Sequence, residues 1–341
     1  MTRLLYTSIL LLLFWIGLSY LTIPETPIAE PQPFLDQLTL EPEFAELTQD
    51  YLSYFNTVMQ KTKTPGAAIV IVKDNSIYAL QGFGVKRVNT YDPIDVNTVF
   101  RLGSLSKGVT ASLTGILVDK GVMAWEDKLK DFMPAFQLID SAQTQRINFK
   151  HLLSHTTGLP YHAYTDMVER GWDLPFINDH FKKVNLIGKE GEVYAYQNAV
   201  FSLVGEAMTT ATGYHVSELL EMELFQPLGM ANASASHAAL IESNNYSYPH
   251  AGSDGAWGKR KISKKYYNAI PAGGINASIS DMAQYLQLIL GNRPDMISES
   301  TLDKIFEPLV NTRNKRKYFR RWSMVEEAYY GLGHRLSLIH I

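Results

Sequence analysis

A serine and a lysine three residues apart could form a nucleophile and its base. Ser104 and Lys107 lie in the run Phe100-Arg101-Leu102-Gly103-Ser104-Leu105-Ser106-Lys107, which leads into apolar residues at helical spacing. A serine at a helix N-terminus lies near unpaired backbone N–H groups, and Lys107 would lie on the same helix face. Burial would lower the pKa of the lysine amine, so that it could accept the serine proton. The alternative is a helix-capping serine beside a solvent-exposed lysine.

A tyrosine and an asparagine at a second loop-to-helix junction could complete this chemistry. Tyr196-x-Asn198 precedes an apolar stripe at helical spacing that ends at Gly213. A tyrosine is a poor base at neutral pH, but a phenolate held by the ammonium group of Lys107 becomes usable. Asn198 could orient that lysine or contact an amide or ester substrate. Alone, the pair would indicate a turn tyrosine and a capping asparagine, but the two motifs together are much more specific.

Other reaction classes fit the sequence poorly. His151 and His155 have the spacing of a His-Glu-x-x-His zinc site, but Leu152 stands where the glutamate belongs. The absence of cysteine excludes a thiol nucleophile and thiolate zinc sites. The Gly-x-Ser-x-Gly elbow does not occur. The sequence therefore predicts no metal and no cofactor.

The elements ahead of the serine are predicted from periodicity. Apolar residues recur every three or four positions from about residue 41, which predicts a helix. A hairpin follows, with strands over Ala67–Val72 and Ile77–Val85 and a turn over residues 73–76. The chain after about residue 41 is therefore expected to begin with a helix and two strands.

The N-terminus predicts a membrane segment. Leu4–Leu21 is a run of 18 residues without charge, close to the length of a spanning helix, and Arg3 precedes it. Residues 1–23 are therefore expected to form an inner-membrane anchor or a cleaved signal, with an uncleaved anchor preferred. Residues 24–45 are expected to be a proline-rich tether, and residues 46–341 a catalytic domain in the periplasm.

Length and composition indicate a globular protein. The chain has 341 residues, 46% of them hydrophobic, which suggests two lobes around a packed core. The formal net charge of −3 argues against nucleic acid as a partner. The basic run between Arg313 and Arg321 is interpreted as a solvated surface.

Together these motifs resemble the serine β-lactamase and penicillin-binding-protein superfamily, in particular the branch of class C β-lactamases, D-alanyl-D-alanine peptidases and related esterases. The resemblance covers about residues 50–335. Besides the two motifs, it rests on three segments: His151-Leu152-Leu153-Ser154-His155-Thr156-Thr157-Gly158-Leu159-Pro160, Phe225-Gln226-Pro227-Leu228-Gly229-Met230, and Pro271-Ala272-Gly273-Gly274 with Asp281.

The resemblance implies an α/β fold, in which an antiparallel sheet flanked by helices is begun by residues 50–100 and resumed after about 265. A helical lobe is inserted between these parts. It also implies that Ser104 is acylated, Lys107 accepts its proton, Tyr196 is the general base that activates the deacylating water, and Asn198 contacts substrate and lysine. The backbone N–H of Ser104 would form one arm of the oxyanion hole.

The implied function is hydrolysis of an amide or ester through an acyl-enzyme. A β-lactam, a peptidoglycan-derived D-alanyl peptide and a small ester all remain candidate substrates. The alternative is a penicillin-binding-like module that recognises cell-wall peptides without hydrolysing them. The sequence leaves the oligomeric state open.

The C-terminus departs from the family pattern. The third motif, Lys-Thr-Gly or His-x-Gly, should follow the landmark Tyr330-Gly331-Leu332-Gly333 by some tens of residues, but the chain ends eight residues after it. His250-Ala251-Gly252 has the wrong position in the order and is interpreted as a loop. A back-translation of residues 336–341 matches a transposon-end adapter used in sequencing libraries. We therefore expect a truncated chain whose native sequence ends near Arg335. The absence of the third motif predicts that this chain lacks the hydrolase activity of the full product.

Overall fold

A computed structural model of the protein describes residues 41–252, 255–312 and 322–339. The predicted anchor and most of the predicted tether lie outside the described residues, as do the basic run over residues 313–321 and residues 340–341. Within the described ranges, no helix combines the length and apolar character needed to cross a membrane.

The N-terminal elements follow the predicted order. Helix α1 (Pro42–Thr62) begins with a proline in its first turn, where the missing N–H costs no hydrogen bond. Strands β1 (Gly66–Lys73) and β2 (Ser76–Gly84) form an antiparallel hairpin in which Gly66 lies opposite Gly84. The helix and hairpin predictions are confirmed, and the helix includes the last four residues of the range assigned to the tether.

A long helical segment is inserted between two short strands that pair with each other. Strand β3 (Phe100–Arg101) lies antiparallel to β6 (Asn276–Ala277), with Phe100 opposite Ala277. Residues 102–275 therefore leave the sheet layer and return to it. The longer helices on this route are α2 (Ser106–Asp119) and α8 (Ala199–Thr212). The shorter ones are α3 (Leu129–Phe132), α4 (Ser141–Thr144), α5 (Phe149–Leu153), α6 (Thr165–Glu169), α7 (Leu174–Asn178), α9 (Val216–Leu220), α10 (Gln226–Leu228), α11 (His237–Glu242) and α12 (Ile270–Gly273).

Two helices and a three-stranded sheet complete the described fold. Helix α13 (Ile279–Ile289) packs on β1 and β2, and α14 (Glu299–Ile305) packs on α2. Strands β7 (Val310–Asn311), β8 (Val325–Tyr330) and β9 (Arg335–Ile339) form an antiparallel sheet in the order β7-β8-β9. The fold is therefore mixed α/β with an inserted helical lobe, as the resemblance implied, although its described strands form small separate antiparallel sheets.

One local interpretation was wrong. Residues His250–Ala251 form a short strand, β4, which pairs with β5 (Gly258–Lys259) instead of lying in a loop. The Nε2 atom of His250 accepts a hydrogen bond from the N–H of Val88 at 3.1 Å. This contact joins β4 to a segment 162 residues earlier, a pairing that local sequence does not reveal.

Helix α2 runs through the centre of the molecule. Every residue from Ser106 to Leu117 is buried, and its hydrophobic members belong to one continuous core that also includes residues of α5, α8 and α13. Buried hydroxyl groups on this helix require partners. Thr114 donates to the carbonyl of Thr110 at 2.8 Å, and Thr110 donates to the carbonyl of Pro271 at 3.2 Å. These bonds help to fix the helix that positions Ser104 and Lys107.

Candidate active site

Ser104 lies at the surface, at the end of the buried helix. A 3-10 turn over Gly103–Leu105 leads directly into α2, so Ser104 precedes the α-helix by two residues. Ser104 is exposed and Lys107 is fully buried. The alternative of an exposed lysine is therefore wrong. The N–H of Ile275 donates to the Oγ of Ser106 at 3.1 Å and attaches this end of the helix to the segment that follows α12.

Tyr196 reaches Ser104 from the inserted lobe. Its hydroxyl donates a hydrogen bond to the Oγ of Ser104 at 2.9 Å. The tyrosine ring is buried, although its backbone lies in a loop that precedes α8. The 2.9 Å distance is short enough for proton transfer between the two oxygens.

Lys107 lies beside the ring of Tyr196. Its Nζ donates to the Oδ1 of Asn198 and to the carbonyl of Ala272, both at 2.8 Å. The same nitrogen lies 4.7 Å from the centroid of the Tyr196 ring, within cation–π range. Lys107 makes no ion pair with a carboxylate of the described residues. The lysine is therefore held by neutral acceptors and by an aromatic face.

The burial of Lys107 controls its protonation. Removal of the ammonium group from water, together with the nearby positive charge of Arg335, lowers the pKa of Lys107 to about 7. The neutral amine is then well populated at neutral pH. A lysine in this state can accept a proton, which an ordinary surface lysine cannot do under the same conditions.

Asn198 joins the lysine to a polar chain in the inserted lobe. It stands at the N-cap position of α8, but its side chain makes no cap hydrogen bond. Its Nδ2 donates instead to the hydroxyl of Tyr266 at 3.2 Å, and that hydroxyl donates to the Oε1 of Glu169 at 3.2 Å. Burial, followed by the charge of Glu169, raises the pKa of Tyr266 to about 12. Tyr266 therefore stays neutral and keeps the amide of Asn198 oriented with its oxygen toward Lys107.

The segment Pro271-Ala272-Gly273-Gly274 supplies the second acceptor of the lysine. Helix α12 directs the carbonyl of Ala272 at Lys107. A Cβ at Gly274 would lie 2.7 Å from the carbonyl oxygen of Tyr266 and 2.9 Å from the Cα of Ile270. Glycine at this position lets α12 approach Tyr266 closely enough for both residues to reach the site.

The landmark Tyr330-Gly331-Leu332-Gly333 packs directly on the catalytic helix. Gly333 has φ +74° and donates its N–H to the carbonyl of Leu153 at 2.9 Å. A Cβ at this position would lie 2.4 Å from the carbonyl oxygen of Lys107. The turn therefore requires glycine both for its left-handed backbone and for its contact with α2.

A cleft of about 740 Å³ opens above the nucleophile. Its walls are largely apolar and aromatic, and the guanidinium carbon of Arg335 lies 5.2 Å from the centroid of the Tyr196 ring. An apolar groove of about 250 Å³ adjoins the cleft, and four side chains line both: Leu102, Leu105, Met282 and Leu286. Among the described residues that line the cleft and the groove, none has a carboxylate side chain.

The structure thus brings Ser104, Lys107, Tyr196 and Asn198 together. Sequence reasoning missed Tyr266, Arg335 and the carbonyl of Ala272. The carbonyl of Ala272 could have been identified, because Ala272 lies inside the segment Pro271-Ala272-Gly273-Gly274 that the sequence analysis singled out. Tyr266 and Arg335 have no local motif that could have identified them.

The two histidines with zinc-like spacing take part in separate hydrogen bonds. His151 closes a capping box at the start of α5, where its Nδ1 accepts from the N–H of Asn148 at 3.2 Å. The Nδ1 of His155 accepts from the N–H of Gln197, also at 3.2 Å. Among the residues that the structure describes, no cluster of three or more histidine or acidic side chains could hold a metal ion.

Comparisons with known proteins identify the family of the chain. The sequence pattern of the family described as Beta-lactamase matches residues 53–333. Penicillin-binding protein 4* of Bacillus subtilis (strain 168) is 24% identical over 273 residues, which cover 75% of this chain and 58% of the relative. Penicillin-binding protein 4 of Amycolatopsis lactamdurans is 28% identical over 177 residues, which cover 52% and 46% of the two chains. The chain thus spans about half the length of these curated relatives.

Solved structures show the same fold at low sequence identity. The octameric penicillin-binding protein homologue from Pyrococcus abyssi aligns with a TM-score of 0.70 at 22% identity, covering 84% of this chain and 64% of that chain. EstCE1, a hydrolase with promiscuous acyltransferase activity, aligns with a TM-score of 0.73 at 14% identity, covering 87% and 84%. Because the family pattern matches more than half of its length, the chain belongs to the Beta-lactamase family.

Proposed function

We propose that the protein is a serine hydrolase that transfers an acyl group from an amide or ester to Ser104 and then to water. The observation that carries this proposal is the 2.9 Å hydrogen bond between Tyr196 and Ser104 above the buried Lys107. A serine in hydrogen-bond contact with a phenol, whose ring lies against a lysine of lowered pKa, is an arrangement that can activate the serine as a nucleophile.

The acylation step follows from these contacts. The Oγ of Ser104 attacks the substrate carbonyl carbon. Its proton passes to the neutral amine of Lys107, either directly or through Tyr196, whose oxygen takes the serine proton as the phenol gives its own proton to the amine. When the tetrahedral intermediate collapses, the bond to the leaving nitrogen or oxygen breaks and the leaving group takes up this proton. The acyl group is then attached to Ser104 as an ester. The pKa of about 7 supports the role of Lys107, because the amine can both accept and return a proton at neutral pH.

Deacylation uses the same groups in the opposite sense. A water molecule attacks the acyl ester and gives a proton to Tyr196 as the phenol passes its own proton to the neutral amine of Lys107. The same proton then returns to the Oγ of Ser104 as it leaves. Asn198 holds Lys107 in place and can contact the substrate at the edge of the cleft. The partner in this reaction is a small molecule or a peptidoglycan-derived peptide.

The substrate class is proposed only as an amide or ester with an apolar acyl side. The apolar walls of the cleft support this class, and the relatives named above include penicillin-binding proteins and a hydrolase with acyltransferase activity. β-Lactams, D-alanyl peptides and small esters all fit the description. A comparison of their turnover by the purified protein would separate them.

The test is covalent labelling of the full chain. A fluorophosphonate probe and a fluorescent penicillin should each modify the protein, and mass spectrometry should place the adduct on Ser104. Ser104→Ala should abolish labelling, whereas Ser106→Ala, which removes a buried hydroxyl two residues away, should retain it. A folded wild-type chain that takes up neither probe would contradict the proposal and favour a binding module for cell-wall peptides.

A further inference from the structure

His155 stands in an unusual backbone conformation just after helix α5. It is 1% exposed and has φ +61°, in the left-handed region that residues other than Gly adopt uncommonly, although Asn, Asp and His do so more often than the rest. Such a conformation costs free energy and persists only where the surrounding contacts fix it. The contacts of His155 therefore indicate what the strained position achieves.

Both neighbours of Tyr196 are hydrogen-bonded to this one histidine. The N–H of Ala195 donates to the carbonyl of His155 at 3.0 Å, and the N–H of Gln197 donates to its Nδ1 at 3.2 Å. The residues around Tyr196 have no regular secondary structure, so no helix or strand hydrogen bonds position the loop. His155 supplies two of the bonds that replace them.

The histidine ring also positions the tyrosine rings. Burial, and then the positive charge of Lys107, lowers the pKa of His155 well below its usual value, so the ring is neutral. Because Nδ1 accepts from Gln197, the ring proton is on Nε2, which donates to the hydroxyl of Tyr330 at 3.2 Å. The ring centroid lies 4.4 Å from that of Tyr196 and 4.7 Å from that of Tyr330.

We propose that His155 is the positioning residue for Tyr196, and that it holds the phenol oxygen within hydrogen-bond distance of Ser104. His155 fixes the backbone on both sides of Tyr196 and packs against the ring of Tyr196. Its hydrogen bond to Tyr330 connects the Tyr196 loop to strand β8. The expected effect of His155 on the rate of Ser104 acylation rests on the proposed function. Its expected effect on the order of the Tyr196 loop is independent of that function.

Two substitutions separate this role from general stability. His155→Gly removes the side chain but accepts the left-handed backbone. His155→Asn also tolerates this backbone, and its side-chain oxygen can replace Nδ1 as the acceptor for Gln197. A displacement of about 1 Å can cost about 100-fold in rate, so we expect His155→Gly to slow fluorophosphonate labelling of Ser104 by about 10- to 100-fold. His155→Asn should recover a large part of this loss.

His151→Ala is the matched control. It removes a histidine four residues earlier that caps α5 and has no hydrogen bond to the Tyr196 loop. Its melting temperature should fall, as that of His155→Gly should, while its labelling rate stays within twofold of the wild type. Equal labelling rates for His155→Gly and the wild type, or no recovery in His155→Asn, would overturn the proposal.

Hydrogen exchange tests the geometry without reference to activity. Amides in the peptide that covers residues 194–198 should exchange faster in His155→Gly and recover protection in His155→Asn. If the wild type takes up no probe, the proposed function fails, and the exchange experiment still decides the role of His155. Unchanged exchange in His155→Gly, with the chain folded, would show that His155 does not hold this loop.

Discussion

The hydroxyl of Tyr196 donates to the Oγ of Ser104 across 2.9 Å, although the two residues are 92 positions apart in the chain. Ser104 belongs to the turn before the central helix, and Tyr196 belongs to a loop of the inserted lobe. Lys107, the buried amine of the site, lies 4.7 Å from the centroid of the Tyr196 ring.

The folded protein should become more stable as the pH rises from about 7 toward 10.5. The pKa of Lys107 is about 7 in the folded chain and 10.5 ordinarily, so the unfolded chain binds one more proton over this interval. The gain should amount to at most about 5 kcal/mol, since each pKa unit corresponds to about 1.4 kcal/mol. Urea denaturation at several pH values would measure it.

Lys107→Met is the matched variant for this measurement, because it fills a similar volume and does not titrate. The free energy of unfolding of this variant should rise less steeply with pH between 7 and 10. The difference in slope should correspond to about one fewer proton taken up on unfolding. Parallel curves for the two proteins would show that Lys107 does not titrate abnormally.

Arg335→Gln should shift the acid limb of the pH profile, where the labelling rate of Ser104 rises with pH, to higher pH. The neutral amine of Lys107 is the active form, so the wild-type rate should rise with pH through about 7. Removal of the positive charge of Arg335 allows the pKa of Lys107 to rise, because that charge is one of the two causes of its depression. Lys265→Gln, which removes a charge paired with Glu169, should leave the limb in place. An unshifted limb in Arg335→Gln would contradict the expected charge effect.

Asn198→Asp should impair the reaction at neutral pH by at least about tenfold. The substitution places a carboxylate at about the position from which the amide oxygen accepts from Lys107 at 2.8 Å, and this charge stabilises the ammonium form. Thr165→Val removes a hydroxyl 3.5 Å from the Nδ2 of Asn198 without adding charge, and it should have little effect. Labelling rates at pH 7 and 9 distinguish the two, because the defect in Asn198→Asp should diminish as the pH rises.

Gly333→Ala should destabilise the fold more than Gly171→Ala. Both glycines have positive φ, of +74° and +84°, so each substitution strains the backbone by about 1–2 kcal/mol. Only at position 333 would the new methyl group meet another atom, the carbonyl oxygen of Lys107 at 2.4 Å, while position 171 faces open space. We expect a loss above about 3 kcal/mol for Gly333→Ala in urea denaturation. Similar losses for the two variants would show that the contact with α2 is relaxed at little cost.

Local spacing was sufficient to predict the elements that carry the site. Apolar residues at helical intervals predicted the helix that starts near Pro42 and the two helices that follow Ser104 and Tyr196. Strand-favouring residues on either side of turn-forming residues predicted the hairpin. These features depend on contacts between residues close together in the chain, and for that reason they can be inferred from it.

The short strand at His250 shows where such reasoning ends. Its two residues have no periodic pattern, and they pair with Gly258–Lys259 while His250 bonds to Val88 far earlier in the chain. Tyr266 gave no signal for the same reason, since its partners Asn198 and Glu169 lie 68 and 97 residues away.

The sequence by itself determined which chemical groups are available: a serine and a lysine on one helical turn, and a tyrosine and an asparagine before another helix. Only the tertiary structure decided how far the groups lie from one another and from water. The pKa of Lys107 depends on its burial and on Arg335, and its hydrogen bond to Ala272 spans 165 residues. Electrostatic energies depend on distance and local dielectric, and both are set by packing between segments far apart in the chain.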